Sequence, residues 1–259
     1  MPSLSSRHAR HLRLALAAPL ALALAACGGD AEGDAEGTLT GDPIAPIEAP
    51  EGTSWLDQVQ VTPEDGYLIG NPDAPLKLVE YASHTCGACA QFAQTGMPIL
   101  RDEYVAKGYV SLELRNLVRD PVDLVIAMLA RCGEKESFHA LADQGWENFS
   151  TIMQPVQQNG EAIQQAVNLP EDQRYIAIAQ EAGLFDFFAA RGISADQARS
   201  CLADPAKARA IAQNTAEQSD ELGVTGTPTF FLNGQKLEVN QWPGLEPILQ
   251  QAGARDAGA

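Results

Sequence analysis

Cys86 and Cys89 stand two residues apart in "HTCGACAQF", within a chain that contains only five cysteines. Two thiols at this spacing can form a reversible disulfide, help bind a soft metal, or staple a fold. The first use needs one sulfur acidic enough to exist as thiolate and a second close enough to displace whatever the first has captured. Metal binding needs further ligands. His84 lies two residues before Cys86, but the only other histidine beyond the N-terminal segment is His139, and no second Cys-X-X-Cys completes a tetrahedral set. A metal carrier is therefore the weaker alternative, and neither a metal nor an organic cofactor is expected.

The flanking elements must supply the acidic environment. Upstream, "LKLVEY" (residues 76–81) is a compact apolar run behind "NPDAP" and predicts a buried strand. After Cys86 the spacing turns helical, with Phe92, Met97, Leu100 and Tyr104 on one face, and Pro98 predicts a kink near Gly96. Cys86 then sits at a helix N-terminus, where unpaired amides and the macrodipole favour an anion. Such a placement brings a thiol from about 8.5 into the range of about 3.5 to 7.5.

Further on, residues 109–118 alternate, with Val110, Leu112 and Leu114 on one face and Ser111, Glu113 and Arg115 on the other, which predicts a second strand. Asp120 and Pro121 read as a cap and first-turn proline. From about 120 to 222 the pattern is helical throughout, far longer than the dozen or so residues at which a strand crossover begins, so a helical subdomain is inserted. The chain returns to sheet in "GVTGTPTFFLNGQKLEV", with a strand at 229–232, Asn233 and Gly234 as a tight hairpin turn, and a partner strand at 236–239. A short helix in "GLEPILQQAG" closes the order.

The N-terminus sets the redox setting. A basic start, a short apolar run and small residues before Cys27 have the layout of an export signal over residues 1–26, and "LAAC" predicts lipidation of Cys27. The run is too short to span a bilayer, which takes about 20 residues, so membrane contact is expected through the lipid alone. An ordinary secretory signal with an incidental cysteine is the alternative. Residues 28–54 carry seven acidic and no basic side chains, which predicts a flexible acidic linker over 27–54, leaving 55–259 as the folded domain. A formal net charge of −17 argues against nucleic acid or anionic lipid as partners. In a bacterial envelope, facing the periplasm, disulfides form and persist. With Cys27 spent on lipid and Cys86 matched to Cys89, Cys132 and Cys201 remain, either as a clamp between two helices or as two buried free thiols. Trp55, Trp146, Phe185, Phe187, Phe188 and Trp242 read as core or groove lining.

Three features in order carry a family resemblance over about residues 70–252: "CGAC" after a strand, Glu80 six residues before Cys86, and "GTPTFFLNG" with Thr227 and Pro228. Together they resemble the thioredoxin superfamily, and within it the exported DsbA-type thiol-disulfide oxidoreductases. The resemblance implies an α/β thioredoxin fold with the helical subdomain between the second core strand and a cis-proline hairpin. It implies Cys86 as the exposed nucleophile, Cys89 as the resolving thiol, and a cis Pro228 that turns the Thr227 main chain toward the sulfurs. Glu80 resembles the buried acid that takes the proton of Cys89; a carboxylate on a solvated strand face is the alternative. The partners implied are unfolded or partly folded exported proteins, plus a membrane redox partner of the DsbB or DsbD kind. The strongly oxidising members carry Pro-His between the cysteines, whereas Gly87 and Ala88 bring no charge here. His84 could substitute if its ring turns to the sulfur, or it is a solvated loop histidine. The expectation is an oxidant of folding proteins, milder than a Pro-His enzyme. An isomerase or reductase of the same fold, or a redox-silent binding lipoprotein, are the alternatives.

Overall fold

The computed structural model describes residues 39–255, so the signal segment and Cys27 lie outside the described residues. A six-stranded sheet forms the centre. Its strands are β1 (Val59–Val61), β2 (Tyr67–Ile69), β3 (Leu76–Ala82), β4 (Val110–Asn116), β5 (Thr229–Leu232) and β6 (Gln235–Lys236), in the spatial order β1-β2-β4-β3-β5-β6. The middle pair β3 and β4 runs parallel, and the remaining neighbours are antiparallel. Central strands are covered on both faces, which is why β4 buries Ser111 and Glu113 as well as its alternating leucines. The hairpin strands β1 and β2 were not foreseen; at three residues each they are too short for a period-two pattern to register.

The parallel pair is bridged by α1 (Gly87–Thr95), α2 (Met97–Ile99) and a wider turn at Leu100–Val105. The break falls at Gly96, directly before Met97 and Pro98. Glycine is needed there for closeness: an added Cβ would lie 2.7 Å from Trp242 Cβ and 2.9 Å from a Phe92 ring carbon. Phe92, Met97, Leu100 and Tyr104 all point into the core, and the Phe92 ring meets that of Phe230 at 4.8 Å. Each such aromatic contributes roughly 1.5–3 kcal/mol by leaving water.

Between β4 and β5 comes the helical insertion expected from the sequence: α3 (Pro121–Ala130), α4 (Phe138–Glu147), α5 (Phe149–Gln158), α6 (Gly160–Val167), α7 (Glu171–Glu181), α8 (Leu184–Ala189), α9 (Ala195–Leu202) and α10 (Pro205–Leu222). Asp120 caps α3, accepting from the amides of Val122 and Asp123. Cys132, just beyond α3, is disulfide-bonded to Cys201 in α9, with Cα atoms 5.8 Å apart. Helix α11 (Trp242–Gln251) closes the chain after a turn in which Asn233 and Gly234 take φ of 50° and 83°.

The flexible-linker expectation needs correction over its described part. Residues 39–54 have no regular secondary structure, yet they are laid along the domain: Gly41 N–H donates to Gln251 O (3.0 Å), Ile44 N–H to Gly253 O (2.8 Å) and Ile47 N–H to Lys107 O (3.0 Å). Leu39 and Ile44 pack on the core, and the Trp55 indole donates to Ile47 O at 2.7 Å. Composition predicted a tether because the segment is acidic; its few apolar residues and main-chain groups find partners only once the folded surface exists.

Candidate active site

Strand β3 ends at Ala82, and Ser83, His84 and Thr85 lead to Cys86, the N-cap of α1. The two cysteines are free thiols and both are buried; Cys86, expected as the exposed nucleophile, is only 6% exposed because the loop before β5 covers it. Across from them the Thr227–Pro228 peptide bond is cis, and the Cys86 sulfur lies 3.3 Å from the Thr227 carbonyl oxygen, within donating reach only while it is protonated. One turn of helix therefore carries both sulfurs, and the loop before β5 faces the first of them.

The two thiols are electrostatically unlike. Cys86 is held down to about 4, chiefly by the hydrogen bond from the Cys89 thiol; desolvation opposes this, and Thr227 and the main-chain amides of Cys89 and Ala88 add to it. Those amides are the unpaired donors of the α1 N-terminus. Cys89 is pushed strongly upward by burial, by its bond to Cys86 and by the charge of Glu80. One sulfur is thus kept as thiolate and its neighbour as thiol.

Glu80 sits in the middle of β3, level with Leu114 on one side and Phe230 on the other, and is 1% exposed. A solvated strand face is ruled out. Burial, with the negative charge of Asp143 adding and Arg101 opposing, pushes its carboxyl up to about 8. Its midpoint lies about a unit above neutrality, within the range an acid-base group requires. Arg101 and Asp143 form an ion pair behind it, and neither residue carried a signal in the sequence.

His84 requires a correction. It is buried rather than solvated, its ring stacks on Trp146 at 4.7 Å, and its Nε2 lies 3.4 Å from Asn116 Nδ2. Burial and the nearby Arg131 charge hold it down to about 3, so it is neutral near neutrality and supplies no substitute charge to the sulfur. The cause is the main chain: His84 N–H donates to Asp123 Oδ1 at 2.8 Å, which draws the residue inward. His139 is likewise buried, 3.0 Å from Tyr67 O. Among the described residues no group of three or more histidine, cysteine or acidic side chains is arranged to hold a metal ion.

A family model described as Thioredoxin matches residues 62–251, nearly the whole folded region. The chain belongs to the thioredoxin family. Within that family it is similar to a protein-disulfide isomerase from Novosphingobium aromaticivorans, 34% identical with a TM-score of 0.68, the match covering 71% of this chain and 96% of that one. It shares the fold of Wolbachia pipientis alpha-DsbA1, 21% identical with a TM-score of 0.59, over 74% of this chain and 92% of that one. A protein of Rickettsia bellii (strain RML369-C) named as a protein-disulfide oxidoreductase is 25% identical over 176 residues, 68% of this chain and 60% of that one. This thioredoxin-family chain thus spans about 60% of the length of that curated relative.

The site also contains residues that the sequence did not mark as functional. Ser83, Asp120, Asp123 and Trp146 brace the approach to Cys86. Trp146 Nε1 donates to Ser83 O at 2.9 Å, Ser83 Oγ to Asp123 Oδ2 at 2.6 Å, and Thr85 Oγ1 to Asp120 Oδ2 at 2.6 Å. The available signal was the Asp120-x-x-Asp123 spacing, an acid at the third helical position after a cap.

Proposed function

We propose that the protein catalyses thiol-disulfide exchange with exported polypeptides through Cys86 and Cys89, acting mainly as an oxidant of folding proteins. The observation that carries this reading is the asymmetry of the pair: Cys86 held down to about 4 beside the Thr227 carbonyl, and Cys89 buried, protonated and under the influence of Glu80. In the oxidising direction a substrate thiolate attacks the Cys86 sulfur of the enzyme disulfide, and the Cys86–Cys89 bond breaks. Cys89 leaves with the electron pair and takes a proton from Glu80. A second substrate thiolate then attacks the substrate sulfur of the mixed disulfide, forming the substrate disulfide and releasing Cys86 as thiolate. Two electrons pass from substrate to enzyme. An acidic Cys86 is a good leaving group and stabilises the reduced enzyme, which favours oxidation. Thr227 and Pro228 present main chain beside the sulfurs, where an extended polypeptide can add as a strand.

The setting that fits this chemistry is the periplasmic face of a bacterial envelope, with the domain held by lipid at Cys27 and its pair re-oxidised by a membrane partner. A second reading, disulfide isomerase, is favoured by the 34% identity to the protein named as an isomerase. Trapping tests the reaction: the lone Cys86 thiolate of Cys89→Ser should attack a scrambled, disulfide-bonded protein and accumulate a mixed disulfide, releasing one substrate thiolate, and Cys86→Ala should abolish it. Absence of any trapped species would end the reading. Alkylation of free thiols in cells separates the directions, since a donor of disulfides is found mostly oxidised at Cys86 and an isomerase mostly reduced.

A further inference from the structure

Ser83 is fully buried beside the two cysteines, with both its main chain and its hydroxyl engaged. Its carbonyl accepts from Cys86 N–H at 3.3 Å and from the Trp146 indole, and its hydroxyl donates to Asp123 Oδ2 at 2.6 Å; its main chain also acts on the Cys89 sulfur, opposing the rise in that thiol's pKa. Asp123 belongs to the first turn of α3, in the helical insertion, and is 1% exposed. Its two oxygens take three donors: Oδ2 accepts from Ser83 Oγ and from Arg119 N–H at 3.0 Å, and Oδ1 accepts from His84 N–H. The ionised carboxylate suits all three donors, whereas the amide of asparagine would turn a donor toward one set. Burying such a group is costly. Burial pushes its carboxyl up to about 7 even though Ser83, Arg119 and His84 all favour the charged form.

We propose that Asp123 is a positioning residue for disulfide exchange, acting through Ser83 to hold a main-chain N–H on the Cys89 sulfur as that sulfur becomes anionic. The inference rests on the exchange reading given above. In resolution of a mixed disulfide, Cys89 Sγ attacks Cys86 Sγ, the Cys86–Cys89 bond forms, the bond from Cys86 to substrate breaks, and substrate leaves as thiolate. The proton of Cys89 goes to the Glu80 carboxylate. The attacking species is a thiolate in a buried place, and a donor already fixed toward it stabilises that charge without reorganisation. The helical insertion thereby contributes to the chemistry of the two cysteines on α1.

The other groups facing Cys89 are Cys86 on α1 and Glu80 on β3, with Arg101 and Asp143 acting on Glu80. Asp120 acts on Asp123, His84 in the adjoining loop is neutral, and Trp146 on α4 is uncharged. Ser83→Ala changes none of these charges, which makes it the cleaner variant.

The test uses the full chain carrying S83A or D123N, with a preformed mixed disulfide at Cys86, and follows resolution across a pH series beside alkylation of Cys86. Both variants should slow resolution, S83A by roughly ten-fold, the scale of one lost hydrogen bond to a charge. In S83A the midpoint of the resolution profile should also move to higher pH, and resolution should fall more than Cys86 alkylation does. Parental resolution with an unchanged midpoint in S83A overturns the proposal, as does an equal fall in both rates, the mark of a merely structural role. If D123N fails to fold, S83A alone decides. Cys89→Ser is the control: a trapped mixed disulfide leaves only the positioning role on trial, whereas none trapped removes the exchange reading and this proposal with it.

Discussion

The Cys86 sulfur lies 3.3 Å from the carbonyl oxygen of Thr227, a residue 141 positions further along the chain. That contact joins the start of α1 to the cis-proline loop before β5. It puts the acidic sulfur and a stretch of loop main chain at one place, with the Cys89 thiol one turn behind.

The acidity of Cys86 depends first on its neighbour. Because the Cys89 thiol is the largest cause of the lowered value, Cys89→Ala should raise the Cys86 midpoint from about 4 by about one unit or more. The α1 amides and Thr227 remain, so it should stay below its ordinary value. Ultraviolet thiolate absorbance over a pH series reads this directly, and an unmoved midpoint would show that the amides alone suffice.

Stability of the reduced protein should carry the same signature. The folded value of Cys86 is depressed from 9.0 to about 4, so its contribution is fully present above 9 and is lost as pH falls through about 4. Urea unfolding of the reduced parent should therefore show an advantage over Cys86→Ala that grows from pH 4 toward 9. A constant difference across that window would contradict the thiolate.

Glu80 should act with the opposite sign. Its folded value is raised from 4.5 to about 8, so it favours the fold below 4.5, and that contribution is lost as pH rises through about 8. Glu80→Gln should therefore stabilise the protein at pH 8, by an amount on the order of 4 kcal/mol at about 1.36 kcal/mol per unit, with the gain fading toward pH 4.5. The same variant should slow proton removal from Cys89, and hence mixed-disulfide resolution, near neutral pH. A more stable but slower enzyme is the expected pairing, checked by denaturant unfolding and single-turnover kinetics.

The Cys132–Cys201 bond closes a loop of 69 positions and ties the end of α3 to α9. Replacing both cysteines with alanine should lower unfolding free energy by about 2–4 kcal/mol, through a less constrained unfolded chain. Exchange at Cys86 should survive in the folded fraction. Coincident loss of both would tie this clamp to the active pair.

Gly96 should tolerate no side chain. With Trp242 Cβ 2.7 Å from where its Cβ would fall, Gly96→Ala should destabilise the domain by roughly 1–3 kcal/mol, the usual cost of overpacking, despite the better helix propensity of alanine. Thermal melting would check it.

Local pattern determined much of this protein. The run at β3, the helical spacing after Cys86 with its break before Pro98, the long helical stretch from Asp120 and the turn at Asn233 and Gly234 are all written in residue types within a few positions of one another, because periodicity and turn chemistry act over that range. The order of these elements was enough for the fold. Tertiary structure alone decided the environments. Residues 39–47 lie along the folded surface, and the His84 ring faces inward because Asp123, 39 positions later, takes its amide. The raised value of Glu80 and the bracing of Ser83 likewise depend on burial and on partners from α3 and α4, whereas the acidity of Cys86, legible in its place at a helix start, comes chiefly from Cys89 and the nearby amides, with Thr227 the one distant contributor. Burial and hydrogen bonding across a hundred residues have no signature in a short window of sequence, since they exist only when packed elements exclude water from the same place.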